Sequence, residues 1–169
     1  MIKSRLCDLV GCKYPVFQAG MGPFATTELC IAAANAGCVG LMSTAALKSK
    51  ESWPQVYEQF VAAAHAEKSD DDVTVFKKMF RRVFEETTEG SIFGVNIMVS
   101  EEMKENAANV VQAMREVRAE NPEMAKRFRV MLTSAGDPMP WKGVAEEEGM
   151  VWAHVMPSVK EIGRASCRE

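Results

Sequence analysis

The chain has 169 residues, a formal net charge of −3 and a hydrophobic fraction of 47%, which is one domain of ordinary size with enough apolar material for a core. No basic excess of the kind that nucleic acid demands is present. No stretch approaches the roughly 20 apolar residues of a membrane-spanning helix.

The N-terminus, "MIKSRLCDLVGCKYP", lacks the apolar centre of a signal peptide, so a cytoplasmic protein is expected. The next segment, Val16 to Ala19, reads as a short buried strand closed by Gly20. Thr26 or Thr27 is placed to cap a helix with Glu28 in its first turn. That helix, "ELCIAAANA", stops at Gly37, as helices often do at glycine. "CVGLM", Cys38 to Met42, is a second strand. Strand, turn, helix and strand together make a βαβ unit.

The middle of the chain reads as helical. Val56, Phe60 and Ala63 share one face. After "SDDD", residues Phe76, Met79, Phe80, Val83 and Phe84 recur at helical spacing with Lys77, Lys78, Arg81 and Arg82 between them. A basic amphipathic helix can serve a membrane or a partner, but packing against a sheet requires the same stripe. "SIFGVNIMV" is the third strand. Ser100 is placed to cap a long helix that carries Met103, Ala107, Val110, Val111, Met114 and Val117 on one side, with Pro122 near its end. "FRVMLTSAG" is the fourth strand, "PWKGVAEEEG" a short helix closed by Gly149, and "MVWAHVMPS" the fifth strand. Strands that are apolar on both faces and alternate with helices predict an α/β protein with a parallel sheet. Doubly wound sheets and (β/α)8 barrels both satisfy that pattern.

Five cysteines (Cys7, Cys12, Cys30, Cys38 and Cys167) form no CxxC pair, and the two histidines, His65 and His154, lie far from them in sequence. Neither a metal site nor a disulfide framework is expected, and Cys30 reads as a small core residue.

Parallel α/β proteins bind ligands at the C-terminal ends of their strands. The first strand ends in Gln18, Ala19, Gly20, Met21 and Gly22. The third carries Asn96, the fourth ends in Thr133, Ser134, Ala135, Gly136 and Asp137, and the fifth in Pro157 and Ser158. Each has a plain explanation by itself. Glycines suit turns, Asn96 could satisfy nearby backbone, and Ser134 could cap a helix. Placed together at successive strand ends, they suggest a cofactor mouth. The first turn has no Lys or Arg, so it suits a planar ring better than a phosphate.

"PVFQAGMGPFATTELCIAAANAGCVGLM" resembles the opening of the nitronate monooxygenase family, formerly the 2-nitropropane dioxygenases. FMN-dependent enoyl-acyl-carrier-protein reductases open in a similar way. "FGVNIMV", "LTSAGDP" and "HVMPSV" resemble that family's next strand motifs, in order. The resemblance covers residues 1 to about 160 and implies the first five βα units of a (β/α)8 TIM barrel, bound FMN, and oxidation of small alkyl nitronates with oxygen. It implies that Gln18, Ala19, Gly20, Met21 and Gly22 contact the flavin, that Asn96 hydrogen-bonds the flavin or its ribityl chain, and that Ser134, Ala135 and Gly136 line the same mouth. The segment between Lys48 and Gly90 is longer than one crossover helix needs.

The resemblance also implies a catalytic histidine in a glycine-rich segment beyond the fifth strand. It is expected beyond the end of this chain, as are the phosphate-binding turns, so no catalytic residue is assigned. Trp152 and His154 share one face of the fifth strand, and the sequence leaves open which way that face points. The last nine residues, "EIGRASCRE" from Glu161, read as the translation of a short-read sequencing adapter and are expected to be a non-native tail. On that reading the chain is an inactive, incomplete barrel. A reductase using a nicotinamide is the other enzymatic reading.

Overall fold

The computed structural model describes residues 4–156. Helix α1 (Arg5–Val10) is followed by β1 (Phe17–Gln18), α2 (Thr27–Asn35) and β2 (Val39–Ser43). A 3₁₀ turn (Ala45–Ser49), α3 (Pro54–Ala63) and α4 (Asp72–Glu86) then lead to β3 (Ile92–Met98). A second 3₁₀ turn (Glu101–Met103), α5 (Lys104–Glu120) and α6 (Pro122–Arg127) precede β4 (Phe128–Ser134), and α7 (Met139–Glu147) precedes β5 (Val151–Val155). The five strands are all parallel and lie in the order β1-β2-β3-β4-β5. Sequential parallel strands joined by helices are the repeat of a (β/α) barrel, and the sheet is a curled half-barrel of five staves.

Both faces of this sheet are covered, but unequally. Met42, Phe93, Val95, Ile97 and Met131 join the helices in the larger core. There Phe80 meets Phe128 edge-on at 4.9 Å between ring centroids, and Phe128 stacks on Phe93 at 5.2 Å. The basic stripe predicted on α4 is an outer packing helix: Phe76, Met79, Phe80 and Val83 are buried, and Lys77 and Arg81 reach across to Glu116 and Glu120 of α5. The opposite face carries a smaller cluster, with Val39, Leu41, Ile92 and Val130 packed on Val10 and Cys12.

That second cluster is built around an element the sequence reading passed over. Helix α1 spans only six residues, and its stripe of Leu6, Cys7 and Val10 is too short to announce itself by periodicity. Its start is nonetheless encoded: the Ser4 hydroxyl accepts from the amides of Leu6 and Cys7, an N-cap. Two other caps differ from expectation. Thr26 precedes α2 but makes no capping bond; its hydroxyl instead accepts from Ser43 N–H and donates to Leu41 C=O, tying the helix start to β2. Ser100 likewise makes no side-chain cap. The end of α2 is as read, with Gly37 at φ 89°. The long segment after Lys48 is accounted for by two helices, α3 and α4, where one crossover helix would do. The fifth strand's Pro157 and Ser158, and the tail from Glu161, lie outside the described residues.

Candidate cofactor mouth

The C-terminal ends of β1, β3 and β4 converge on one polar cluster. Asn96 projects from the same face of β3 as Ile92 and Gly94, by strand alternation, and so lies on the face away from the outer helices. Its Nδ2 donates to Gly20 C=O at 3.4 Å. Its Oδ1 accepts from Ser134 Oγ at 3.0 Å. One primary amide therefore joins the first turn to the end of the fourth strand. Gln18, half-buried, adds a further tie, its Oε1 accepting from Leu41 N–H at 3.1 Å.

Around this cluster lie the other predicted residues. Ala19, Met21 and Gly22 are exposed, Met21 by 59%. The amides of Met21 and Gly22 take no partner among the described residues. Ala135 is exposed and sits at φ 57°, a left-handed conformation that a non-glycine residue adopts at a cost and that recurs at functional sites. The nine residues that the resemblance assigns to the flavin thus lie in or just past the C-terminal parts of three strands, β1, β3 and β4.

Two of those glycines have a reason within the protein. A Cβ on Gly20 would lie 2.8 Å from Met42 C=O and 3.0 Å from Asn96 Cβ. A Cβ on Gly136 would lie 2.4 Å from Val99 C=O. Glycine at both positions lets one strand-end loop rest on the next, so close approach of a ligand is not needed to explain it.

The donor set is neutral: an amide, a hydroxyl and backbone. Among the described residues no Lys or Arg belongs to the three turns. That set fits the amide-like edge of a flat ring and does not fit a phosphate. His154 is not part of it. It lies with Trp152 on the helix side of β5, where Thr133 Oγ1 takes the Trp152 Nε1–H at 3.0 Å and lies 2.9 Å from His154 Nδ1. The cysteines also stay out. Burial pushes the Cys30 thiol far up, and burial with Cys7 alongside pushes Cys12 up to about 11, so neither is a thiolate nucleophile at neutral pH.

Behind the mouth lie two residues that the sequence reading missed. Thr44 is 1% exposed, and its Oγ1 donates to Asn96 C=O at 2.8 Å. Asn106 of α5 is fully buried, and its Nδ2 donates to Thr44 C=O at 3.2 Å. The signal for Asn106 was present, since a polar residue stands beside Ala107 in the buried stripe of a long helix.

A sequential parallel half-barrel with its polar cluster at the C-terminal strand ends defines a (β/α)-barrel protein with its site where such barrels place theirs. The sequence profile of the nitronate monooxygenase family matches residues 3–148. The chain belongs to that family of flavin-dependent oxidoreductases. No curated protein is matched. Among solved structures, FabK from Thermotoga maritima is similar with a TM-score of 0.64 and 19% identity, over 98% of this chain and 42% of that one. Its M276A mutant is similar with a TM-score of 0.62 and 20% identity, over 98% and 44%. The chain thus spans less than half the length of either, and at that identity the likeness is one of fold. Among the described residues no helix is long and apolar enough to cross a membrane.

Proposed function

We propose that this chain carries the ring-binding part of an FMN-dependent nitronate monooxygenase that oxidises alkyl nitronates with oxygen. The observation that carries this reading is the Asn96 amide, bonded to Gly20 C=O and Ser134 Oγ at the ends of three strands. Gln18 to Gly22 would lie along the flavin, with the exposed Met21 side chain against it and the unpaired Met21 and Gly22 amides as donors. Asn96 would orient the ring edge, and Ser134, Ala135 and Gly136 would close the other side.

The flavin, when bound, supplies the electron transfer between nitronate and oxygen. The chain's own residues bind, orient and exclude water. Met21, Ala19 and Ala135 offer short or apolar surface that can cover one edge of a ring. No described residue of the cluster is a base of suitable pKa, so proton transfer from a nitroalkane is assigned to none of them.

The test is a titration of the chain with FMN, followed by flavin fluorescence and by oxygen uptake with propyl-2-nitronate. Quenching that saturates, and that Asn96→Leu weakens, is the expected result. Flavin fluorescence unchanged by the chain would sink the reading. In a longer protein that carries this chain, consumption of NAD(P)H with no oxygen uptake from nitronate would favour the enoyl-acyl-carrier-protein reductase alternative.

A further inference from the structure

The hydrogen bonds at the mouth do not end with Asn96. They continue inward, from Asn96 C=O to the Thr44 hydroxyl at 2.8 Å and from Thr44 C=O to Asn106 Nδ2 at 3.2 Å. We propose that Thr44 and Asn106 are positioning residues, which set the geometry of the cofactor mouth by holding Asn96 from behind. The inference rests on the flavin reading only for what the mouth binds; that the relay fixes the turn is a claim about the chain alone.

Burying the Asn106 amide carries a cost. Asn106 is fully buried, yet its Oδ1 has no hydrogen-bond partner among the described residues. A buried carbonyl oxygen without a partner is destabilising, and an apolar side chain of the same shape would be cheaper. Packing therefore does not explain an amide here. Its donor half does explain it, because that half is spent on Thr44 C=O.

Thr44 in turn sits just past the end of β2, where the first 3₁₀ turn begins at Ala45. Valine would fill the same volume and leave Asn96 C=O without this donor. The threonine fixes the backbone of Asn96, and the Asn96 side chain then reaches both Gly20 and Ser134. Five parts of the chain are linked in one series: α5, the loop after β2, β3, the turn after β1 and the end of β4.

Asn35, at the opposite end of the strands, is a useful contrast. Its side chain donates to Glu86 C=O and accepts from Thr88 N–H and the Ser91 hydroxyl. Both ends of that amide are used, and every partner lies at the end of α4 or in the loop that leads from it to β3. It is a closed tie that stabilises the fold. The Asn106–Thr44 series is open at the buried end and delivers its other end to the half-buried Gly20 and Ser134 at the mouth.

The experiment uses the 169-residue chain without flavin, then with it. Backbone ¹⁵N order parameters are measured for residues 19–22 in the parent, Thr44→Val, Thr44→Ser, Asn106→Leu and Asn35→Leu. Thr44→Val is expected to lower them from about 0.85 to below 0.6, and to weaken FMN about tenfold, the worth of one buried hydrogen bond. Thr44→Ser, which keeps the hydroxyl, should restore both. Asn35→Leu should lower the thermal midpoint without moving either. If Asn106→Leu does not fold, the two Thr44 variants still decide. Unchanged order parameters in Thr44→Val, or an equal drop in Asn35→Leu, would overturn the inference. Order parameters that respond as expected in a chain that takes up no FMN would uphold the positioning role and overturn the flavin reading.

Discussion

The two ends of the sheet solve the same problem with different chemistry. At the N-terminal ends of the strands, loose backbone carbonyls are gathered by arginines. Arg118 is buried and donates to the carbonyls of Ala125, Phe128 and Glu148. Arg127 donates to those of Phe84 and Thr87, with its guanidinium 4.5 Å from the Phe84 ring centroid. Arg129 reaches Leu9 C=O and so pins α1. At the C-terminal ends the same duty falls to neutral groups: Asn96, Ser134, Thr44, Asn106 and Thr26. A guanidinium makes several charge-assisted bonds and tolerates burial when they are all made. A primary amide makes fewer, weaker ones, and carries no charge of its own. One end is built to hold; the other, on the function proposed above, would receive an uncharged ring.

The largest expected effect therefore lies at the arginine end. Arg118→Met strips three carbonyls of their donor and takes from Glu148 one of its guanidinium partners, Arg115 remaining, and should cost about 3 kcal/mol in urea unfolding. Its flavin affinity, measured on the folded protein, should not change. Next is Gly136→Ala, where the new Cβ meets Val99 backbone. A cost of about 2 kcal/mol is expected by the same measurement, because backbone cannot step aside as a side chain can. Should that variant keep its stability and lose flavin, Gly136 faces the ligand after all.

Asn96→Leu moves the comparison to affinity. The half-buried amide holds the mouth and not the core, so a fall in FMN affinity of about tenfold is expected, roughly 1.4 kcal/mol. The urea midpoint should fall less than in Arg118→Met. The smallest effect belongs to Ala135→Gly. Left-handed backbone costs alanine about 1 kcal/mol, and glycine's greater freedom in the unfolded chain cancels part of the gain. A net stabilisation of about 0.5 kcal/mol is expected, with weaker flavin binding if the strained turn serves the ligand.

Much of this architecture was legible in the residues. The apolar runs around Val39, Ile92 and Val130 and the stripes of α4 and α5 are periodic signals, and periodicity survives without knowledge of tertiary contacts. The strand-end residues were legible as a set because a parallel sheet delivers all its C-terminal ends to one side. What was not legible was decided at a distance. Thr26 has the sequence of a cap, but β2 offers its hydroxyl better partners. Gly20 and Gly136 read as room for a ligand, and the neighbouring strand ends occupy that room. His154 could not be assigned a side until Thr133 and Trp152 fixed it on the helix face. Helix α1 is short, and its partners are Val39, Ile92 and Val130, between about 30 and 120 residues away along the chain.

The claim that the neutral end receives a ring, and carries no phosphate site of its own, is tested most directly by comparing two ligands. Lumiflavin has the ring of FMN without the ribityl phosphate. The account predicts that the 169-residue chain binds both, with dissociation constants within about tenfold of each other, and that Asn96→Leu weakens both alike. Binding of FMN a hundredfold tighter than lumiflavin, or binding of neither, would contradict it.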